Sequence, residues 1–342
     1  MDKRRKIRVL VVDDSLLFRE MLVKILSSNP GIEVVAVAAD PFEARDKIIE
    51  VLPDVITCDV EMPKMSGIEF VRWLLPQHFF PVVMVSSIDK TVFEAMSAGA
   101  VDFVVKPGTQ SSEAVMEFAE DLVQKIKAAA AAKSPLQKRE KSLPKVFENI
   151  ARDTGRIVAI GASTGGTEAI YSILRSLPKT IPGIVIVQHI PPVFSKMFAE
   201  RMDNQTELCV KEAETGDFVD QGTVLIAPGD RHMRIKKIGW RYQVECFRGE
   251  KVNGHCPSVD VLFDSVAKEA GSSAIGIQLT GMGYDGAKGL LAIRRKGGRT
   301  IGQDEASSIV YGMPRVAFDM GGVEIQEALK NIPQVLFNLL GR

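Results

Sequence analysis

The chain has 342 residues, enough for two domains with full cores, and its 46% apolar and 25% charged content is that of an ordinary soluble protein. Lys+Arg and Asp+Glu both number 43, so bulk charge favours neither nucleic acid nor an anionic membrane as partner. No apolar stretch approaches membrane-spanning length, the run Val9 to Val12 after the basic start is too short for a signal-peptide core, and Cys58, Cys209, Cys246 and Cys256 lack C-x-x-C spacing, so a reduced cytoplasmic setting without membrane insertion is expected.

Residues 7 to 127 alternate strand and helix signals. Ile7 to Val12 is an apolar run ending in Asp13-Asp14, and Ser15 is placed to cap a helix to Leu26. Val34 to Ala38 reads as a second strand, followed by a helix from Pro41 to Val51. Val55 to Cys58 is a third strand ending at Asp59, Val82 to Val85 a fourth ending at Ser86, and Ala100 to Val105 a fifth ending at Lys106-Pro107. A last helix is expected from Ser112 to Ala130. Five such units imply a parallel, doubly wound sheet with function at the carboxyl ends of its strands. There sit Asp13, Asp14, Asp59, Ser86 and Lys106. Three carboxylates on one rim make a hard, oxygen-only site suited to Mg²⁺, and the lysine and hydroxyl can hold a phosphoryl group.

This half resembles bacterial response-regulator receiver domains. The matching residues are the acidic pair Asp13-Asp14, Asp59 in Asp59-Val-Glu-Met-Pro-Lys-Met65, Ser86, Lys106-Pro107 and Phe103. The resemblance implies a five-stranded, flavodoxin-like α/β fold, phosphorylation at Asp59, Mg²⁺ bound by Asp13, Asp14 and Asp59, and a switch through Ser86, Phe103 and Lys106. One departure is Ser66, where the family usually has aspartate.

Residues 128 to 153 read as a linker. The preceding helix stops by Pro135, and Gln137 to Pro144 is charged without apolar periodicity. The division expected is therefore 1–127, 128–153 and 154–342.

The second half opens with Ile157 to Ile160, a buried strand, then Gly161-Ala-Ser163-Thr-Gly165-Gly166 and a helix to about Leu177. A serine on a Gly-bounded strand-to-helix turn is either a lifted nucleophile beside helix N–H groups or part of a phosphate-binding loop. Gly183 to Val187 is a strand ending in Gln188-His189, followed by a helix from Phe194 to Met202. Cys209 to Phe247 holds shorter strand-like runs, with hairpin-like turns at Gly229-Asp230 and Gly239. Ser258 is placed to cap a helix to Ala270. Ala274 to Leu279 is a strand leading to Thr280-Gly-Met-Gly-Tyr-Asp285-Gly286, then come a helix to Lys296, a strand near Thr300 and a final helix to Leu340. Three strands thus end in Ser163, His189 and Asp285, which face one crevice if the sheet is parallel. Such an assembly suits acyl transfer: imidazole takes the hydroxyl proton and the carboxylate orients the ring. Asp304 and Asp319 compete for the acid role, and His255-Cys256 offers a Cys–His pair without an orienting partner. His78 and His232 lack such context. The chain order Ser–His–Asp is not that of the α/β-hydrolases.

Residues 157 to 340 resemble the catalytic domain of the chemotaxis protein-glutamate methylesterases (CheB). The likeness rests on Gly161 to Glu168, Gln188-His189-Ile-Pro-Pro-Val-Phe194, Ala227-Pro-Gly229, His255-Cys-Pro-Ser-Val-Asp260 and Leu279 to Gly286. It implies a Rossmann-like, mostly parallel sheet with Ser163 as nucleophile, His189 as base and acid, and Asp285 as orienting acid. Backbone N–H groups of Thr164 and Met282 are the oxyanion candidates by position. The esterase reaction then needs no cofactor. The implied activity is hydrolysis of glutamate γ-methyl esters on methyl-accepting chemoreceptors, with deamidation of receptor glutamines and a chemosensory histidine kinase as phosphodonor. Cys256 departs from the family, which usually has arginine there. The rival readings are a receiver-gated hydrolase or regulatory module acting on another substrate, and a nucleotide-binding Ser163 loop.

Overall fold

The computed structural model describes residues 5–76, 80–87, 91–108, 111–132 and 155–341. The chain divides into two compact units, Met1–Arg139 and Glu140–Arg342. Most of the expected linker lies outside the described residues, as does His78.

In the first unit, strands β1 (Ile7–Val12), β2 (Ile32–Ala38), β3 (Val55–Asp59), β4 (Val82–Ser86) and β5 (Asp102–Val105) alternate with helices α1 (Leu16–Ser27), α2 (Pro41–Val51), α3 (Gly67–Leu74), α4 (Val92–Ala98) and α5 (Ser112–Ala130). The sheet order is β2-β1-β3-β4-β5, parallel throughout, the flavodoxin-like arrangement. Helix starts follow side-chain chemistry. Ser15 Oγ accepts the Phe18 N–H, Asp40 accepts those of Phe42 and Glu43, and Ser66 with Glu69 forms a capping box. Strand β3 is buried along its whole length, which leaves its last residue, Asp59, at the rim with only 4% exposure.

In the second unit the strands are β6 (Ile157–Ala162), β7 (Ile184–Gln188), β8 (Cys209–Glu212), β9 (Thr223–Ile226), β10 (His232–Ile238), β11 (Arg241–Phe247), β12 (Ala274–Gln278), β13 (Arg299–Gln303) and β14 (Ile325–Glu327). The helices are α6 (Gly166–Leu174), α7 (Phe194–Gln205), α8 (Val259–Ala270), α9 (Ala287–Arg295), α10 (Met313–Asp319) and α11 (Ile332–Leu340). Seven strands form one sheet in the order β14-β13-β12-β6-β7-β9-β8, and every pairing in it is parallel. Strands β10 and β11 make a separate antiparallel hairpin that turns at Gly239. The Gly229-Asp230 turn, read from sequence as hairpin-like, instead passes the chain from the large sheet to this hairpin. Strand order reverses between β6 and β12, and a crevice at the carboxyl ends is expected at that point.

Helix α8 packs against the end of β6 at close range. A Cβ added at Gly161 would lie 2.2 Å from Val259 Cγ1 and 3.2 Å from Phe263 Cζ. Phe263 is fully buried in a core that runs from β6 through α8 and α9 to the hairpin. Phe263→Ala is therefore expected to destabilise this unit by about 3–5 kcal/mol, since the rigid sheet and α9 cannot collapse into the void. A loss under about 1 kcal/mol in denaturant unfolding would contradict that packing.

Candidate active site and phosphoacceptor site

Ser163 follows β6 directly and is half-buried. Its N–H donates to Thr280 O (3.0 Å), and its carbonyl accepts from Gly166 N (2.7 Å) and Gln188 Nε2 (2.9 Å). The two glycines of the G-x-S-x-G pattern have separate causes. Gly161 admits α8, whereas Gly165 takes φ of 75° and begins α6. Gly281 meets the turn from the other side: a Cβ there would lie 2.7 Å from Ser163 Cβ. This places the chain just before Met282 against the serine. Met282 is 41% exposed and Thr164 is buried.

His189 follows β7. Its Nε2 lies 2.9 Å from Asp285 Oδ2, with side chains 9% and 1% exposed. With the carboxylate accepting at Nε2, the neutral ring keeps its lone pair on Nδ1. Nδ1 is buried without a hydrogen-bond partner among the described residues, and no hydrogen bond joins His189 to Ser163 Oγ. A hydrogen bond between a base and a nucleophile commonly tightens only when substrate is bound. His255 stacks on His189 with ring centroids 3.7 Å apart. Burial, and then the neighbouring His189, push the His255 pKa down to about 4, so this ring stays neutral at physiological pH.

Asp285 lies not at the end of β12 but at the far end of the following loop, one residue before Gly286. There it reaches the start of α8. Its Oδ2 accepts Val259 N (2.6 Å), and its Oδ1 accepts Asp260 N (3.2 Å), Ser258 Oγ (2.8 Å) and Asn253 Nδ2 (2.7 Å). Ser258 thus makes no cap bond of its own, contrary to the sequence reading. It occupies the cap position while its hydroxyl is turned to Asp285, which caps α8 in its place. Burial opposes ionisation of Asp285, but the bonds from His189, Asn253 and Val259 outweigh it and hold the carboxyl well below the usual range.

The rival residues go elsewhere. Asp304 binds Ser307 within its own turn, and Asp319 pairs with Arg315 on the surface. His232 is buried, with Nε2 on Glu250 O and Nδ1 accepting Ser258 N. Cys256 lies half-buried, its thiol pushed up by burial. Sequence reasoning paired His255 with Cys256 rather than with His189, on which it stacks, and missed the bridging Asn253. The dipeptide Asn253-Gly254 was the available signal, since it favours a two-residue hairpin turn.

In the first unit, Asp13, Asp14 and Asp59 each bring an oxygen within 4.8 Å of the others. This all-oxygen set fits a hard divalent cation such as Mg²⁺. Lys106 Nζ reaches Asp13 (3.0 Å) and Asp59 (2.7 Å) and sits 4.5 Å above the Phe18 ring. A cleft of about 680 Å³ opens over Asp14, Asp59 and Lys106. Burial raises the Asp59 pKa to about 6, and Asp13 adds to this, while Lys106 works the other way. Ser86 is buried and donates to Ser87 O (2.8 Å). Phe103 is also buried, edge-on to Phe93, with Lys125 Nζ 5.0 Å from its centroid.

A family model for the CheB methylesterase matches residues 158–336, and one for the response regulator receiver domain matches 9–116. The chain is 54% identical over 338 residues, 99% of both chains, to a Syntrophomonas wolfei protein named protein-glutamate methylesterase/protein-glutamine glutaminase 2. It is 48% identical over 348 residues, 98% of both, to a protein-glutamate methylesterase/protein-glutamine glutaminase of Syntrophotalea carbinolica. Among solved structures, the Thermotoga maritima CheB methylesterase catalytic domain matches with 40% identity and a TM-score of 0.53, over 55% of this chain and 100% of that one.

The raised Asp59 pKa has a consequence for stability. Its folded value, about 6, exceeds the unfolded value of 3.8, so the native state holds the proton more tightly. The stability this lends is complete below the unfolded pKa and lost as pH rises through the folded one. Without divalent cation, Asp59→Asn is expected to raise the Tm of the first unit at about pH 7.5, with the gain shrinking toward about pH 4. A gain equal at both pH values would rule out charge as its cause.

Proposed function

The chain belongs to the CheB methylesterase family, and on that premise we propose that it is a phosphorylation-regulated serine esterase of chemotaxis. Its substrates are glutamate γ-methyl esters on the helices of methyl-accepting chemoreceptors, which it hydrolyses with release of methanol. It also deamidates receptor glutamines. The observation that carries the reading is the buried His189–Asp285 pair at the carboxyl edge where Ser163 follows the neighbouring strand. The division proposed is a receiver over 1–127, a linker over 128–153 and a catalytic domain over 154–342.

In this reading Ser163 Oγ attacks the ester carbonyl carbon and its proton passes to His189 Nδ1. The imidazolium that forms is stabilised by Asp285, whose own hydrogen bonds hold it ionised. Backbone N–H groups of Thr164 and Met282 face the oxyanion. Collapse of the tetrahedral adduct breaks the ester C–O bond, and His189 returns the proton to the departing methoxy oxygen. Water then attacks the acyl-Ser163 with the same base, releasing glutamate. A neutral His255 beside the ring adds no positive charge to oppose protonation of His189.

In the receiver, Asp59 takes the phosphoryl group from a chemosensory histidine kinase. Asp13, Asp14 and Asp59 would hold Mg²⁺, which when bound offsets the negative charge of the incoming group. Lys106 contributes a fixed cation, and Ser86 and Phe103 report the new charge to the domain surface.

Methanol release from methylated receptor membranes tests the esterase. Ser163→Ala is expected to keep its fold and lose most of its activity. Asp285→Asn is expected to fall by orders of magnitude in kcat with little change in KM, because the wrong His189 tautomer is then favoured. Near-wild-type turnover in either variant refutes its assigned role. Loss of serine labelling in Ser163→Ala, with no methanol released by wild type, would point to a hydrolase for another ester.

A small phosphodonor with Mg²⁺ is expected to label the full chain at Asp59 and raise methanol release. Asp59→Asn should show neither effect. Label retained in Asp59→Asn would place the acceptor elsewhere.

A further inference from the structure

Two helix starts cap each other through a pair of carboxylates, Asp285 of the proposed mechanism and Asp260, which that mechanism has not used. The carboxylate of Asp285, on the loop leading to α9, accepts N–H groups from the first turn of α8. The carboxylate of Asp260, in that first turn, accepts Gly289 N from the first turn of α9 at 2.7 Å. Each helix N-terminus, with its orphan donors and positive dipole end, thereby fixes an acid of the other. The arrangement also brings two buried carboxylates close together, with 5% and 1% exposure. Buried like charges repel, and the usual outcome is that one of them takes up a proton.

Asn253 stands between them. Its Nδ2 lies 2.7 Å from Asp260 Oδ2 and 2.7 Å from Asp285 Oδ1, so its two amide protons serve one carboxylate each. The backbone places it there. Val252 and His255 exchange both N–H···O bonds, and Asn253 and Gly254 take φ of 54° and 85° between them, a type I′ turn. The same two-residue turn sets His255 against His189.

We infer that Asn253 is a positioning residue for the esterase reaction: its amide bridges Asp260 and Asp285 so that Asp285 stays in place and ionised toward His189. Asp260 is the second member of this device, acting through Asn253 and α9. The inference rests on Asp285 being the orienting acid.

Initial rates of methanol release from methylated receptor membranes, read as kcat and KM on the full chain, test it. Asn253→Gly removes the amide and suits the left-handed backbone. It is expected to lower kcat about tenfold or more with KM within about threefold. Asn253→Asp is nearly isosteric, and Asp-Gly keeps the type I′ turn, so it carries the test if the glycine variant folds poorly. It adds a third carboxylate, and kcat is expected to fall about a hundredfold. Asp260→Asn alone is also expected to be slow, because its new amide faces that of Asn253. The double variant Asn253→Gly, Asp260→Asn is expected to be no slower than Asn253→Gly, because the charge needing the bridge is gone. A folded single Asn253 variant with kcat within about threefold of wild type overturns the inference, as does a double variant whose loss is the product of the two single losses. Ser163→Ala and Asp285→Asn measured alongside separate this outcome from failure of the triad itself: if those two retain activity, the triad falls. If they lose it while both Asn253 variants keep it, only the bridge falls.

Discussion

The carboxylate of Asp285 is the point on which the catalytic unit depends. Two backbone N–H groups, a hydroxyl, an amide and an imidazole all converge on it inside the protein. Removing a charge from water is costly, and only this number of donors makes a buried, ionised carboxylate tolerable. The same bonds anchor the start of α8, which packs on β6 through Gly161 and Phe263. The carboxylate proposed to orient His189 is thus also the cap of α8, so the proposed reaction and local stability depend on one side chain.

The receiver places its charges under the opposite constraint. Asp13, Asp14 and Asp59 lie within reach of one another with Lys106 as the resident cation, and the Asp59 pKa is raised rather than lowered. Among the described residues no helix N-terminus or converging amide set relieves Asp59, and its backbone donor is Glu61 N at 3.4 Å. Such a site suits a divalent cation and, in the proposed reading, an acyl phosphate on Asp59, whereas the carboxylate of Asp285 already has its donors. Two carboxylate clusters near the carboxyl edges of parallel sheets thus hold opposite pKa shifts, Asp59 raised and Asp285 lowered, in keeping with the different roles proposed for them.

Much of this was legible in the sequence. Apolar β-branched runs such as Val9 to Val12 and Ile184 to Val187 specify buried parallel strands, and residues that interrupt them, Asp59 or His189, fall at the rim because a parallel strand buried on both faces has nowhere else for a polar group. Ser15 announced its helix start because a cap is a local bond. Asn253-Gly254 was equally local and readable, yet its importance lies in what it lifts the amide toward. Ser258 misled for the same reason: its position is that of a cap, but a carboxylate brought in from the loop before α9 takes the backbone donors.

What the sequence determined by itself was the alternation of elements, the five rim residues of the receiver, and the order Ser163, His189, Asp285 along three strand-to-helix loops. Those follow from periodicity and residue chemistry, which act over a few residues. What only the tertiary structure decided was which strands lie beside β6, that the Gly229-Asp230 turn leads to a separate hairpin rather than closing one, and that α8 and α9 exchange caps across Asn253. Such contacts join residues tens of positions apart, and their pairing is set by sheet order and helix packing, which no local pattern encodes.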